Sequence, residues 1–427
     1  MWHDIDAEEL NERIALNYSR LCDGYYSFPG VFVPTGEWPG DKEGRALLAF
    51  VSHYRMTGQT HPCMEKMLSV LGEYTDENYC FPAPVSGVIY EQQLSGHSWL
   101  LRGLCEHYLA FGDSFSLEAV KKIVKALYLP LRGKIASYRV IVDDDVEGAV
   151  SGFYAGQIGD WVLSTDTGCA FMCIDGLSAA YELLKTAELK ELLDEMICFF
   201  ASLDIVSLKL QTHCSLTAAR GMMRMYSLTG EDRYLAFAKK IFLLYRDRAM
   251  TLTYQNYNWW GKDRSWTETC AVVDSIMLSG ELFKATGEEK YSRLAARIYQ
   301  NGLANAQRFH GGAGTDTIVT ESQPILRVRD EECPFCCTMR LSEGLRYIRE
   351  NASLLRYETC GTVSRDFYGR YADGDLLYAE VLGEGAEKYL QDRDAVTVDG
   401  HRLVPLLKLF RIPPEEYGKI SQRVVFD

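Results

Sequence analysis

The sequence lacks any apolar run near the ~20 residues that cross a bilayer. Its opening, "MWHDIDAEELNERIAL", has neither the basic start nor the apolar core of a secretory signal. These two absences exclude a membrane partner from expectation and make the cytoplasm the expected location. A basic surplus is missing too. Lys and Arg number 45 against 59 Asp and Glu, for a formal charge of −14. A polyanion needs clustered Lys and Arg, so nucleic acid is not an expected partner. The acidic balance fits a neutral substrate or plain solubility and does not choose between them. Regular cysteine spacing is also absent. The 13 cysteines are odd in number, and several (Cys105, Cys173, Cys198) sit inside apolar helical patterns, as free thiols do in a reducing compartment.

What is present is helix. The composition, 47% hydrophobic and 24% charged, is that of a globular chain with a core to bury. A length of 427 residues suits one large closed architecture or two to three ordinary domains. Apolar residues recur at three- and four-residue steps through "EGRALLAFVSHYRMTG", "WLLRGLCEHYLAFGD", "IDGLSAAYELLKT" and "AVVDSIMLSGELFKATGEEKYSRLAARIY". Four segments close on one phrase: "HYRMTG", "HYLAFG", "MYSLTG" and "LFKATG", ending at Gly58, Gly112, Gly230 and Gly287. A glycine there fits a left-handed helix cap. "AYELLKTAE" (180–188) and "GLRYIRENA" (344–352) fit the same slot without the glycine. Hairpins repeated at about 50 residues imply an all-α, six-hairpin toroid, the (α/α)6 barrel, over residues 1–355; an open solenoid is the alternative. From 356 to 427, β-branched and aromatic residues around "YADGDLLYAEVLG" imply a short β-rich C-terminal appendage.

The chemistry-bearing stretch is "EECPFCCTMRLSEGLRYI" (331–348). Cys336 and Cys337 precede a helical pattern, where unpaired amides and the helix dipole favour a thiolate over a thiol. Neighbouring residues seldom form a disulfide with each other, so two buried thiols, one disulfide to a distant partner, a nucleophile or metal ligands are the readings. "RSWTETCAVVDSIML" places Glu268 two residues before Cys270 at another helix start. If the backbone there is extended, both can reach one ion. With Cys336 and Cys337 they offer one oxygen and three sulfurs, a set that suits tetrahedral Zn2+. The competing reading of Glu268 is a capping box with Ser265.

These motifs, in their order along the chain, resemble glycoside hydrolase family 127, the β-L-arabinofuranosidases. The likeness runs through "WPGDKEGRALLAFVSHYRMTG", "LSGHSWLLRGLCEHYLAFGD", "QTHCSLTAARGMMRMYSLTGEDRYL", the "TETC" segment, "CC" and "YADGDLLYAEVL". The resemblance implies a retaining glycosidase in which Cys336 is the nucleophile, Glu268, Cys270, Cys336 and Cys337 hold zinc, and His97 and His213 line the sugar pocket. It also implies a carbohydrate as partner; a homodimer is one assembly the reading leaves open. The chain departs from the family in three ways. No Glu stands in "TLTYQNYNWWGKDRSW" (251–266), where the family carries its general acid/base, so Asp263 is the nearest carboxyl, with Tyr254 and Tyr257 weaker stand-ins. Thr338 replaces a proline after the cysteine pair, and the C-terminal sandwich is nearly absent.

Other residues have competing readings. Tyr257, Trp259, Trp260 and Trp266 are either a sugar-stacking platform or packing between helices. Asp143, Asp144 and Asp145 read as a solvated loop. His53 and His107 read as structural. Asp160 and Asp166 are the basis of a second mechanism, a carboxylate glycosidase or unsaturated uronyl hydrolase. An epimerase using His97 and His213 as bases is a third reading, and a non-catalytic sugar binder stapled by zinc a fourth.

Overall fold

A computed structural model describes residues 2–34, 38–142, 150–251, 254–308, 310–318, 327–329 and 331–355, followed by strands at 357–358, 372–373, 376–382, 396–398 and 401–405. The acidic triplet Asp143, Asp144 and Asp145 lies outside the described residues. The helices are α1 (Ala7–Leu21), α2 (Asp41–Thr57), α3 (Met64–Tyr74), α4 (Glu91–Phe111), α5 (Ser114–Ile123), α6 (Cys173–Leu184), α7 (Ala187–Ser202), α8 (Thr212–Thr229), α9 (Asp232–Arg248), α10 (Thr269–Thr286), α11 (Glu289–Arg297), α12 (Ala304–Ala306) and α13 (Cys337–Glu350). None of the described helices is long and apolar enough to cross a membrane. The chain divides into two compact units. One holds Leu21–Leu244 and Trp259–Gly261; the other holds Met1–Arg20, Tyr245–Asn258 and Lys262–Asp427.

In the first of these units, α2, α4, α6 and α8 are buried on nearly every face and pack in succession, α2 on α4, α4 on α6 and α6 on α8. Helices α3, α5 and α7 between them bury one stripe each. This alternation of wholly buried and one-faced helices is the hairpin pattern of the sequence. The buried helices approach almost backbone to backbone. A Cβ on Gly44 would sit 2.1 Å from the Leu100 amide nitrogen, and one on Gly221 2.6 Å from the Ile174 carbonyl. Only a residue without a side chain fits such crossings.

The helix ends follow the expected phrase. Gly58, Gly112, Gly230 and Gly287 are all left-handed, and each amide donates to the carbonyl four residues back. Lys185 serves in the same way at the end of α6, with φ 51°. Helix α13 closes differently, at Asn351 with φ −119°. An aromatic residue stands four positions before every one of these caps: Tyr54, Tyr108, Tyr181, Tyr226, Phe283 and Tyr347. It marks α2, α4, α6, α8, α10 and α13 as six equivalent helices.

A buried ion cluster ties α4, α6 and α8. Asp175 has no exposed surface and meets Arg224 at 2.6 Å, Arg102 at 3.1 Å and Arg220 at 3.8 Å. Burial alone would raise its pKa, yet the three guanidiniums hold the carboxyl well below its usual range. This unit also carries a small sheet of β2 (Ile89–Tyr90), β4 (Trp161–Ser164) and β3 (Tyr154–Ile158), in which β4 pairs with both others.

In the other unit α10 packs against α11 and α13, and Gly344 of α13 lies against Val273 of α10. Arg340 of α13 pairs with Asp274 of α10 and with Glu343, all three buried. Strand β1 (Trp2–His3) pairs with β6 (Tyr357–Glu358). A second sheet runs β5 (Arg327–Arg329), β8 (Leu376–Leu382), β10 (His401–Pro405), β9 (Val396–Val398), with β7 (Ala372–Asp373) antiparallel to β8.

Candidate metal and nucleophile centre

Two helix starts build the site. Glu268 is the residue before α10, and its φ of −130° and ψ of 117° keep the backbone extended there. Cys270 follows as the second residue of α10. Cys336 precedes α13, and Cys337 is the first residue of that helix. The extended Glu268 backbone also disposes of the capping box. The Ser265 hydroxyl donates to the Lys262 carbonyl at 2.9 Å and accepts from the Asn258 amide at 3.2 Å. Ser265 thus closes its own turn, and Glu268 occupies the cap position itself.

The sulfurs of Cys270, Cys336 and Cys337 lie within 4.8 Å of one another. Cys270 and Cys337 are 3.9 Å apart, and Cys336 and Cys337 are 3.7 Å apart. Two sulfurs at about 2.3 Å from one tetrahedral ion stand about 3.8 Å apart, so the triangle already has the size of a zinc site. A Glu268 carboxylate oxygen lies within 4.8 Å of the Cys270 sulfur. Turned so that both its ends are satisfied, the Asn258 amide donates to Glu268 Oε2 at 2.7 Å and accepts from the Trp266 indole at 3.1 Å. The Glu268 amide donates to Asn256 Oδ1 at 2.8 Å. The carboxylate is therefore aimed by its neighbours, as a ligating carboxylate usually is.

The electrostatics differ from the sequence expectation. The helix start favours a thiolate, and the hydrogen bond with Cys270 lowers the Cys337 pKa, but the Cys333 and Cys336 thiols and burial together push it well above the usual thiol range. Burial, ahead of hydrogen bonds from Cys336 and Cys337, does the same to Cys270. A helix dipole is worth at most ~2 kcal/mol, and several crowded thiols outweigh it. A cation held by these donors would offset that cost. All described cysteines are free.

Thr338, in the place of the expected proline, donates to Glu332 Oε2 at 2.8 Å and accepts from the Ala313 amide at 3.0 Å. Glu332 also pairs with Arg20. These contacts fix the segment that carries the cysteines to the start of α13.

Several other expectations need correction. Trp259 and Trp260 are 1% and 0% exposed, with indoles donating to the Thr165 carbonyl and the Ser215 hydroxyl. A sugar platform needs a bare ring face, so these two are packing residues. Tyr257 and Trp266 are the half-buried aromatics of that stretch. His97 is wholly buried; one ring nitrogen accepts from the Phe81 amide at 2.9 Å and the other meets the Gln93 carbonyl at 2.8 Å. Both nitrogens are taken, and burial lowers its pKa to about 4, so it is a neutral structural residue. His213, the second residue of α8, is buried with its ring stacked on Trp99. His53 and His107 are structural as expected: burial lowers His53 to about 3, and His107 bonds Ser116 at 2.9 Å. Asp263 is exposed. Asp160 is exposed before β4, whereas Asp166 is buried after it, accepting from Ser151 and Gln211. At about 3.3 Å of rise per residue, the strand holds these carboxyls farther apart than the ~6.5–9.5 Å of an inverting pair.

The sequence sets Cys333 three residues before Cys336 without giving it a role, and its thiol hydrogen-bonds those of Cys336 and Cys337. The Cys-Pro-Phe-Cys spacing was the available signal.

No protein-family model matches the chain. No curated protein matches it either. Solved structures do. A glycoside hydrolase is similar at TM-score 0.54 and 13% identity, over 83% of this chain and 59% of that one. A GH127 β-arabinofuranosidase is similar at TM-score 0.50 and 12% identity, over 79% of this chain and 56% of that one. Cellobiose 2-epimerase from Bacillus thermoamylovorans B4167 is similar at TM-score 0.55 and 13% identity, over 80% of this chain and 98% of that one. The chain thus spans under three-fifths of the two glycosidases, 59% and 56%, and nearly all of the epimerase, 98%. At such identities the likeness is one of fold, the six-hairpin (α/α)6 architecture.

Proposed function

We propose that the chain is a retaining glycosidase of small oligosaccharides, β-L-arabinofuranosides among them, with Cys336 as nucleophile. Cys270, Cys336, Cys337 and Glu268 would hold a zinc ion. When bound, the ion supplies the positive charge that keeps the Cys336 sulfur anionic. The observation that carries this reading is the sulfur triangle, spaced at 3.9 and 3.7 Å.

Cys336 Sγ attacks the anomeric carbon. A C–S bond forms as the C–O bond to the leaving group breaks, and the leaving oxygen takes a proton. Asp263, exposed on the turn before α10, is the candidate donor. Water, giving a proton back to the ionised Asp263, then displaces the Cys336 sulfur as thiolate, and two inversions return the original configuration. Tyr257 and Trp266 are the aromatics available to stack on the sugar.

The test pairs metal analysis with a screen of chromogenic pentosides and hexosides. About one zinc per chain is expected, with turnover abolished in Cys336→Ala. Metal-free protein with full turnover, or an active Cys336→Ala, contradicts the reading. Near-complete coverage of the epimerase, 98%, favours a second reading as a sugar epimerase. Solvent proton exchange at a sugar carbon without hydrolysis would select it.

A further inference from the structure

The start of α8 carries two buried polar atoms that the fold leaves unused. Gln211, the cap residue, is 3% exposed, and Thr212, the first residue of the helix, is 0% exposed. Among the described residues neither Gln211 Oε1 nor the Thr212 hydroxyl has a hydrogen-bond partner. Buried polar atoms are nearly always paired, because an unpaired one keeps the full cost of leaving water. Two in succession at one helix start point to a partner from outside the chain. No side chain caps α8, so its first turn also presents amides that have no partner within the helix.

The surroundings restrict what that partner can be. Gln211 Nε2 donates to Asp166 Oδ1 at 2.9 Å, and the Ser151 hydroxyl donates to both oxygens of the same carboxylate, at 2.8 and 2.9 Å. A carboxylate only accepts, so the Gln211 NH2 must face Asp166, which leaves Oε1 as the open end of the amide. An open acceptor needs a donor. An anion has none to give, and it would add a second negative charge beside Asp166. A cation could donate, but the helix start carries partial positive charge and opposes it. A neutral hydroxyl meets both demands, giving its hydrogen to Gln211 Oε1 and accepting at its oxygen from the Thr212 hydroxyl or a first-turn amide. Asp166 and Gln211 are buried, but Ser151 is exposed, so this network begins one side chain below solvent.

We propose that Gln211 and Thr212 form a binding site for a neutral sugar, with ring hydroxyls bonded to Gln211 Oε1 and to the Thr212 hydroxyl. Asp166, fixed by Ser151, holds the Gln211 amide in the orientation that accepts. The choice of a sugar among neutral hydroxyl compounds rests on the carbohydrate reading above, whereas the donor and acceptor pattern comes from these residues alone. All four lie in the Leu21–Leu244 unit, and none takes part in the thiol chemistry.

The experiment titrates full-length wild type with L-arabinose, D-xylose and D-glucose, which contain no glycosidic bond to cleave. Binding is followed by calorimetry and saturation-transfer NMR, with acetate as the anion control and circular dichroism to confirm folding of each variant. At least one sugar should bind, and acetate should not compete with it. Gln211→Leu should weaken that sugar by about tenfold and Thr212→Val by roughly threefold, the loss of one hydrogen bond each. Thr212→Val keeps the outline of the side chain and carries the test alone if Gln211→Leu does not fold. Failure of all three sugars to bind overturns the proposal, as does acetate competing as well as a sugar. Unchanged affinity in the folded variants also overturns it and leaves ordered water as the partner of these atoms. Binding that weakens in the variants, in a protein that turns over no glycoside, keeps this site and removes the glycosidase reading. Turnover with unchanged sugar binding in both variants does the opposite.

Discussion

Two buried clusters, one in each compact unit, show opposite electrostatic outcomes from similar surroundings. Asp175 is wholly buried, and so are Cys270 and Cys337. Asp175 nevertheless stays ionised, because Arg102, Arg220 and Arg224 surround it. The thiols are driven toward the neutral form by burial and by the thiols crowded beside them, with no cation near to offset either. The arginine cluster is complete in itself and does a structural task, joining α4, α6 and α8. The sulfur cluster is chemically incomplete, since its donors become useful only with a cation. A buried group whose charge is already compensated points to stability. A buried group whose charge awaits compensation points to binding.

Each half of that comparison can be broken. The largest effect is expected at the sulfur cluster. Cys336→Ala should lower turnover by about 10⁴-fold or more, as loss of a nucleophile does elsewhere, while the chain still melts as a cooperatively folded protein. A kinetic comparison alongside thermal melts checks both halves. Asp175→Asn should do the reverse. Stranding three guanidiniums should cost about 3–5 kcal/mol, read by urea denaturation, with zinc stoichiometry unaffected in the protein that remains folded.

A third prediction uses pH. Glu91, at the start of α4, accepts from the Tyr138 hydroxyl at 2.8 Å, and burial raises its pKa to about 7. Its ordinary value is 4.5, so between these pH values the unfolded chain releases a proton that the folded one keeps. The contribution of Glu91 to stability is full below pH 4.5 and is lost as pH rises through about 7. Glu91→Gln should flatten that slope, a change of roughly 3 kcal/mol across the window. Denaturation series at pH 5 and pH 8 measure it. Zinc affinity should have the opposite slope, rising with pH, because ligation releases thiol protons. The smallest effect is at a helix cap. Gly230→Ala should cost about 1 kcal/mol, because φ is 72° there and a Cβ is strained.

The repeated helix ends were legible in the sequence because a left-handed cap has a strong local signature. Gly58, Gly112, Gly230 and Gly287 show it, and the aromatic residue four places upstream extends it to Lys185 and Asn351. The three sulfurs were legible because each sits beside a helix start that periodicity could locate. Individual contacts were less so. Nothing in "YNWWGKDRSW" distinguishes Trp260, whose indole finds Ser215, from the half-buried Trp266; burial is set by partners distant in sequence. His97 misled for the same reason, since its ring nitrogens serve the backbone of Phe81 and Gln93. Asp160 and Asp166 looked like a pair only while β4 between them was unseen.

The most direct test of the account is the metal content of protein purified without chelator, measured by elemental analysis beside Cys270→Ser and Cys337→Ser. The account predicts about one zinc per wild-type chain and a marked loss in both variants. Wild-type protein free of zinc, or variants that retain it in full, would contradict it.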